Sequence, residues 1–137
     1  SVGNAVIDGA AFKYNTLYKN LKKIQKPIVL GFGRAEKSDR GDEKFYRHFG
    51  PYYFSFHLQN SFFIFLDSTG KTPRYLQNQW LQNELKISQK YKNRFIFTQK
   101  SPVVFQQLSD IFDEGYCFKD EGYRKFLLNI FHKFKVT

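Results

Sequence analysis

The side chains that could ligate a metal or transfer a proton near neutral pH are few in this chain and lie far apart. The three histidines, His48, His57 and His132, are not at ligand spacing with one another. A closed metal site needs three or four ligands and a catalytic one about three. Their surroundings are typical of a hairpin entry, a strand surface and the exposed face of the last helix, respectively. We therefore predict that the three histidines have structural roles and that they do not form a metal site.

Three carboxylates, Asp8, Glu36 and Asp67, stand where loops are predicted. Asp67 follows an apolar run and opens the polar stretch Ser68-Thr69-Gly70, and strand ends are where α/β proteins usually carry their chemistry. General acid–base catalysis needs a second titrating group close by, and none follows Asp67 in the sequence. We therefore expect Asp67 to be a hydrogen-bond acceptor at a strand end.

Neither the glycine pattern nor the cysteine content points to a further chemistry. Gly31-Phe32-Gly33 has no third glycine and no helix is predicted after it, so a dinucleotide site is rejected. The single Cys117 cannot form an internal disulfide. One thiol does not fix a redox compartment, so the localisation stays open.

The charge balance is basic, with 22 Lys and Arg against 12 Asp and Glu and a formal net charge of +10. Such an excess fits either a polyanion-binding surface or a solvated one. The lysines are scattered over the predicted outer faces of helices, which favours solvation and makes nucleic acid an unfavoured partner. No uninterrupted apolar run reaches membrane-spanning length, so no transmembrane segment is predicted.

The hydrophobic pattern predicts strands alternating with helices. Residues 52–56 and 62–66 read as a hairpin around Gln59-Asn60-Ser61, and the second run is apolar enough to be a central strand buried on both faces. Short buried strands are predicted at 28–30 and 94–98, with a strand end near 2–9. Residues 37–44 should be an exposed excursion and 108–122 irregular and acidic.

Three helices are predicted between these strands. The first is capped by Asn15 or Thr16 and closed by Pro27, and the second opens at Thr72-Pro73. The third has the clearest helical period, over residues 123–134. The pattern predicts an α/β layered fold in one domain, residues 1–137, whose two ends look interior to something longer.

Six segments occur in an order that resembles a known family. They are Gly3-Asn4-Ala5-Val6, Pro27-Ile28-Val29-Leu30 before Gly33-Arg34-Ala35-Glu36, Phe49-Gly50-Pro51-Tyr52-Tyr53-Phe54-Ser55-Phe56, Leu66-Asp67-Ser68, Gln79-Trp80-Leu81 with Glu84-Leu85, and Phe95-Ile96-Phe97-Thr98-Gln99-Lys100-Ser101-Pro102. Together they resemble the middle of a calcineurin-like metallophosphoesterase. The resemblance implies an αββα sandwich of two mixed β-sheets flanked by helices, with a two-metal site built from loops at strand ends.

The resemblance also implies where metal ligands would stand, and this chain departs from the family there. The family's bridging aspartate falls on Asn4, its Asn-His pair falls on Arg34 and Ala35, and its later histidine falls on Gln99. The family's Asp-x-His and Gly-His-x-His motifs would lie before Ser1 and after Thr137. A guanidinium cannot ligate a metal. No catalytic or metal-ligating residue is therefore predicted, and no cofactor, although the complete family site holds two divalent metals of the Mn, Fe or Zn type.

Three functional hypotheses follow. The first is a metallophosphoesterase-like domain that has lost its metal site and activity and serves as a structural or interaction module for a protein partner. The second is a fragment or inactivated form of a metal-dependent phosphoester hydrolase. The third, weaker, is a basic polyanion-binding protein, motivated by the net charge.

Arg34 and Lys100 are the candidate anion-binding residues. The resemblance implies that Arg34 stands where metals would offset nearby carboxylates. It would then pair with Asp8, Asp67 or Glu36, or bind a sulfate or phosphate. The alternative, that Arg34 points into solvent, is left open by the glycines of its loop.

Overall fold

The computed structural model describes residues 3–103 and 117–136, and these form a mixed α/β structure. The helices are α1 (Ala11–Leu21), α2 (Arg34–Lys37), α3 (Gly41–Phe49), α4 (Arg74–Ile87) and α5 (Glu121–Lys133). The strands are β1 (Phe54–Leu58), β2 (Ser61–Phe65) and β3 (Asn93–Phe97), and 3-10 turns cover Ser38–Arg40 and Ser88–Lys90. The predicted α/β class is confirmed.

The strands form one mixed sheet in the order β1-β2-β3. β1 and β2 are an antiparallel hairpin in which Phe54 lies opposite Phe65 and Leu58 opposite Ser61. β3 runs parallel to β2, from Asn93 beside Ser61 to Phe97 beside Phe65. The predicted hairpin and the central position of its second strand are confirmed, with strand ends shifted by one or two residues.

One face of this sheet packs on α4 and α5. The β2 side chains Phe62 and Ile64 are buried there together with residues of both helices, and the buried set is Phe62, Ile64, Leu66, Leu81, Leu85, Phe118, Tyr123, Leu127, Ile130 and Phe134. α5 follows the predicted helical period, and Asp120 caps it by accepting a hydrogen bond from the Tyr123 amide (2.9 Å).

The other face of the sheet is a ladder of six phenylalanines. Because side chains alternate along a strand, Phe63 and Phe65 of β2 point away from the helices and stack on their strand neighbours, with ring centroids 4.7–5.4 Å apart. The neighbours are Phe54 and Phe56 of β1 and Phe95 and Phe97 of β3. Phe65 is buried, whereas the other five rings are partly exposed. The prediction that β2 is buried on both faces is therefore wrong at Phe63.

A second, smaller core lies between the segment before α1, the α1 and α3 helices and the Gly31-Phe32-Gly33 loop. Val6, Tyr14, Phe32 and Phe45 are buried in it. Phe32 is its centre, since its ring lies 5.1 Å from Phe45 and 4.5 Å from Tyr52, centroid to centroid. This core holds the loops that carry Asn4 and Arg34.

Two predicted strands do not form. Residues 3–9 and 28–30 are not strands, and Ile28 is 39% exposed. The segment 28–30 is short and lies between Pro27 and Gly31-Phe32-Gly33, while the amides of residues 4–6 donate to the Glu36 carboxylate instead of to a ladder. The described residues therefore contain a single three-stranded sheet, and the second sheet of the αββα sandwich stays a prediction.

The helix starts and the charged stretch also differ from expectation. α1 begins at Ala11 rather than after Asn15 or Thr16, and the Asp8 carboxylate accepts the Ala10 amide (3.0 Å) just before it. The predicted exposed excursion at 37–44 is confirmed for residues 37–40, which are exposed, but α3 begins at Gly41 and buries Asp42. Residues 104–116, which include most of the predicted acidic stretch, lie outside the described residues. Every helix in the described part is too short or too polar to span a bilayer.

Candidate functional site

The loop after residue 3 and the loop before α2 meet at the end of β3. Gly3 packs against Gly33, and a Cβ added at Gly3 would lie 2.8 Å from the Gly33 Cα, closer than real contacts allow. The same Cβ would be 3.5 Å from the Gln99 side chain. Gly3 also has φ +113°, a conformation that side chains rarely adopt. Glycine at positions 3 and 33 is therefore what allows these three segments to converge.

The side chains of Asn4 and Gln99, which the resemblance places at metal-ligand positions, accept hydrogen bonds from the start of α2. The Asn4 Oδ1 atom accepts from the Ala35 amide at 3.0 Å, and the Gln99 Oε1 atom accepts from the Arg34 amide at 2.9 Å. Asn4 has φ +55°, which asparagine tolerates better than most residues. The structure thus brings Asn4, Arg34, Ala35 and Gln99 together, in an arrangement that caps a short helix.

Glu36 is the buried carboxylate that holds the loop at residues 4–6. It is fully buried, and it accepts hydrogen bonds from the amides of Asn4 (2.9 Å), Ala5 and Val6 (3.4 Å). A carboxylate can compensate for its burial when several N–H groups donate to it. The sequence offered Glu36 only as a partner for Arg34, and nothing in its local pattern signals this bonding to a segment about thirty residues earlier.

The Arg34 side chain is exposed at the first position of α2, and the structure places it against none of its predicted partners. Asp8 pairs with Lys13 and accepts the Ala10 amide, and these contacts, the Lys13 hydrogen bond first, lower the pKa of Asp8. Glu36 and Asp67 are bonded to backbone amides. Of the two alternatives, the described residues support the one in which Arg34 points into solvent. The predicted sulfate or phosphate at Arg34 stays a prediction.

Asp67 organises the turn after β2. Its Oδ1 atom accepts from the amide (2.8 Å) and hydroxyl (2.7 Å) of Thr69, and its Oδ2 atom accepts from the Thr72 amide (2.7 Å). Its own peptide groups are held by the buried side chain of Gln77, at 2.8 and 3.0 Å. The prediction that Asp67 is a hydrogen-bond acceptor at a strand end is confirmed.

A polar pocket opens beside this turn, where β2 and β3 end. Its volume is about 260 Å³. The Lys100 amide donates to the Ser68 hydroxyl (3.3 Å) and joins the two strand ends, so that Lys100, the second candidate anion-binding residue, lines the pocket. The full lining is Asp67, Ser68, Thr69, Gly70, Thr72, Arg74, Gln77, Lys100, Phe118, Lys119 and Tyr123. The sequence signal for this pocket was the polar stretch at the end of an apolar strand.

The histidines and the cysteine stand apart from both places. His48 lies in the last turn of α3 near Tyr18, rather than at the hairpin entry. His57 stacks on Tyr91 from the surface of β1, and His132 is exposed on α5. Cys117 is partly buried and free of disulfides. Within residues 3–103 and 117–136, no group of three or more His, Cys, Asp or Glu side chains is placed to hold a metal.

The residues at the degenerate positions do not fit a pair of divalent metals. Two-metal hydrolysis requires oxygen or imidazole ligands that hold the cations about 3.5–4 Å apart around a bridging oxygen. Asn4 and Gln99 supply neutral oxygens that already accept amide hydrogens, and Ala35 supplies no ligand. The Arg34 guanidinium cannot ligate a metal.

No family model, curated protein or solved structure matches this chain. The likeness to metallophosphoesterases therefore rests on the six sequence segments alone.

Proposed function

We propose that this chain is a metallophosphoesterase-like domain that has lost its two-metal site and its phosphoesterase activity, and that it acts as a structural or interaction module. The observation that supports this most is the use of the Asn4 and Gln99 side chains. Both bind backbone amides of α2 at 2.9–3.0 Å, which gives the degenerate positions a structural task in place of metal binding.

The fold is the second line of support. A hairpin followed by a parallel strand, with loops from distant segments meeting at the strand end, is compatible with the middle of such a sandwich. In an αββα sandwich each sheet packs against a second sheet on one face. The partly exposed ladder that includes Phe63 and Phe95 is the face that a second sheet would cover under this proposal.

Metal analysis combined with hydrolysis assays tests the proposal. The purified protein would be incubated with Mn²⁺, Fe²⁺ or Zn²⁺, desalted and measured for bound metal. Turnover would be followed with p-nitrophenyl phosphate and bis-p-nitrophenyl phosphate. We expect less than stoichiometric metal and no turnover above that of buffer.

A double variant, Asn4→Ala with Gln99→Ala, is the matched control. Low activity that is equal in the wild type and the variant would come from a contaminant, since the variant lacks both oxygens. Stoichiometric metal and turnover in the wild type, with both lost in the variant, would refute the proposal. That result would favour the second hypothesis, a piece of an active phosphoester hydrolase.

A further inference from the structure

The pocket at the ends of β2 and β3 has hydrogen-bond donors without protein acceptors. Ser68 is 5% exposed and its oxygen accepts the Lys100 amide, but its hydroxyl hydrogen has no acceptor among the described residues. Lys100 is partly buried as a residue, and its ammonium forms neither an ion pair nor a hydrogen bond within residues 3–103 and 117–136. A buried donor without an acceptor is costly, so a ligand atom that accepts from it is favoured.

The acceptors in the same pocket are already occupied. Both carboxylate oxygens of Asp67 accept hydrogen bonds from Thr69 and Thr72, and Gln77 is bound at both ends to the peptide groups of Asp67. Asp67 is the one carboxylate in the lining. The pocket therefore offers the Ser68 hydroxyl and the Lys100 ammonium as donors to a ligand.

Arg74 is held in place at the mouth of the pocket. One of its nitrogens, Nη1, binds Asp120 at 2.6 Å, and its guanidinium lies 4.7 Å from the centroid of the Tyr123 ring. This leaves the remaining guanidinium nitrogens for another acceptor. The Phe118 and Tyr123 rings, 5.2 Å apart in an edge-to-face arrangement, form an apolar wall.

We propose that this pocket binds a small molecule that carries an oxyanion, a phosphate or carboxylate group, with an attached apolar group against Phe118 and Tyr123. Ser68 and Lys100 donate to the oxyanion, and the guanidinium nitrogens of Arg74 that do not bind Asp120 are further donors. A volume of about 260 Å³ is just below the range of drug-sized sites, which limits the ligand to roughly the size of one ring plus the anion. This proposal does not rest on the loss of phosphoesterase activity.

Ligand titrations of charge-matched variants test the proposal. Inorganic phosphate, phenyl phosphate and benzoate would be added at constant ionic strength, with binding followed by thermal melting and by amide chemical shifts. Wild type is compared with three variants that each lose one positive charge. Lys100→Gln removes it from the pocket, Lys92→Gln from an exposed turn and Arg34→Gln from α2. Ser68→Ala adds a neutral test of the buried hydroxyl.

We expect phenyl phosphate or benzoate to bind the wild type, Lys92→Gln and Arg34→Gln equally, and Lys100→Gln about tenfold or more weakly. The affinities for phenyl phosphate and benzoate show whether the pocket prefers a phosphate or a carboxylate. The difference in affinity between phenyl phosphate and inorganic phosphate shows how much the aromatic wall contributes to binding. Three results would overturn the proposal: no response beyond that to NaCl, an unchanged response in Lys100→Gln, or a response lost in Arg34→Gln. The last would place the anion at α2, as the degenerate metal site predicts.

Discussion

The two halves of this protein are stabilised in different ways. We call residues 53–103 and 117–136 the sheet half and residues 3–52 the loop half. The sheet half buries ten apolar side chains in one cluster, whereas the loop half buries four. The loop half instead has a fully buried Glu36 whose carboxylate accepts hydrogen bonds from three backbone amides. Hydrophobic burial is roughly additive over area, whereas hydrogen bonds to one carboxylate depend on a single side chain. The loop half should therefore be far more sensitive to one polar substitution.

Two polar contacts between described residues join the halves. Gln99 binds the Arg34 amide, and Lys71, just before α4, forms a salt bridge with Asp42 of α3. Arg34 and Gln99 thus lie at a junction whose geometry depends on the less apolar half. The four predictions below probe this difference, beginning with the largest effect.

Replacement of Glu36 by alanine should destabilise the protein most. Three amides would lose their shared acceptor, and a cavity would remain where the carboxylate was buried. Since a hydrogen bond to a charged group contributes about 1.5–3 kcal/mol, we expect a loss of about 4 kcal/mol in the free energy of unfolding after partial relaxation. Urea denaturation measures this change.

Leu81→Ala is the matched control in the sheet half, because Leu81 is also fully buried. Deletion of a buried leucine side chain costs about 2–5 kcal/mol. Amide hydrogen exchange should separate the two variants, with Glu36→Ala losing protection first around residues 4–6 and α2, and Leu81→Ala in β2 and α4. Loss of protection in the same residues for both would contradict the proposed difference between the halves.

Gln99→Ala tests the junction itself. The Arg34 amide would lose its acceptor, as at a helix whose cap is removed, and we expect a loss of about 1 kcal/mol in the free energy of unfolding. Amide chemical-shift changes should concentrate at Arg34 and Ala35. Gln79→Ala, an exposed glutamine on α4, is the control and should change little. Equal stability of the two variants would show that the Gln99 contact does not hold the loop.

Acid should weaken the Asp42 contact between the halves. The hydrogen bond from Lys71 lowers the pKa of Asp42 below its usual value of 3.8. A lowered pKa stabilises the folded state above pH 3.8, and this stabilisation is lost as the pH falls through the lower pKa of the folded protein. Urea midpoints measured from pH 7 to pH 2 should therefore fall more steeply for the wild type than for Asp42→Asn. Parallel curves for the two proteins would contradict this prediction.

Arg34→Ala should have the smallest effect. Its side chain is exposed and forms no ion pair with a described residue, so we expect a change of less than about 0.5 kcal/mol in the free energy of unfolding. Superimposable denaturation curves would agree with a solvent-facing arginine. A loss of about 1–3 kcal/mol would instead show that Arg34 has a partly buried carboxylate partner.

The sequence alone determined the elements whose pattern is local. The apolar runs around Gln59-Asn60 predicted the hairpin, and the spacing of Tyr123, Leu127 and Ile130 predicted α5. These succeeded because periods of two and 3.6 residues record which face of an element is buried, and because Asp120 supplies the cap beside the helix. Both lie in the sheet half, where apolar burial dominates.

Only the tertiary structure decided the loop half and the two candidate sites. Residues 28–30 look like a strand in the sequence but are not a strand in the structure. The role of Glu36 depends on amides about thirty residues away in the chain. The pocket at Ser68 and Lys100 likewise forms because β2 and β3 run parallel and end together. A local sequence pattern indicates burial and secondary-structure propensity. It does not indicate which distant backbone group will form a hydrogen bond with a polar side chain, because the packing of the whole chain sets that contact.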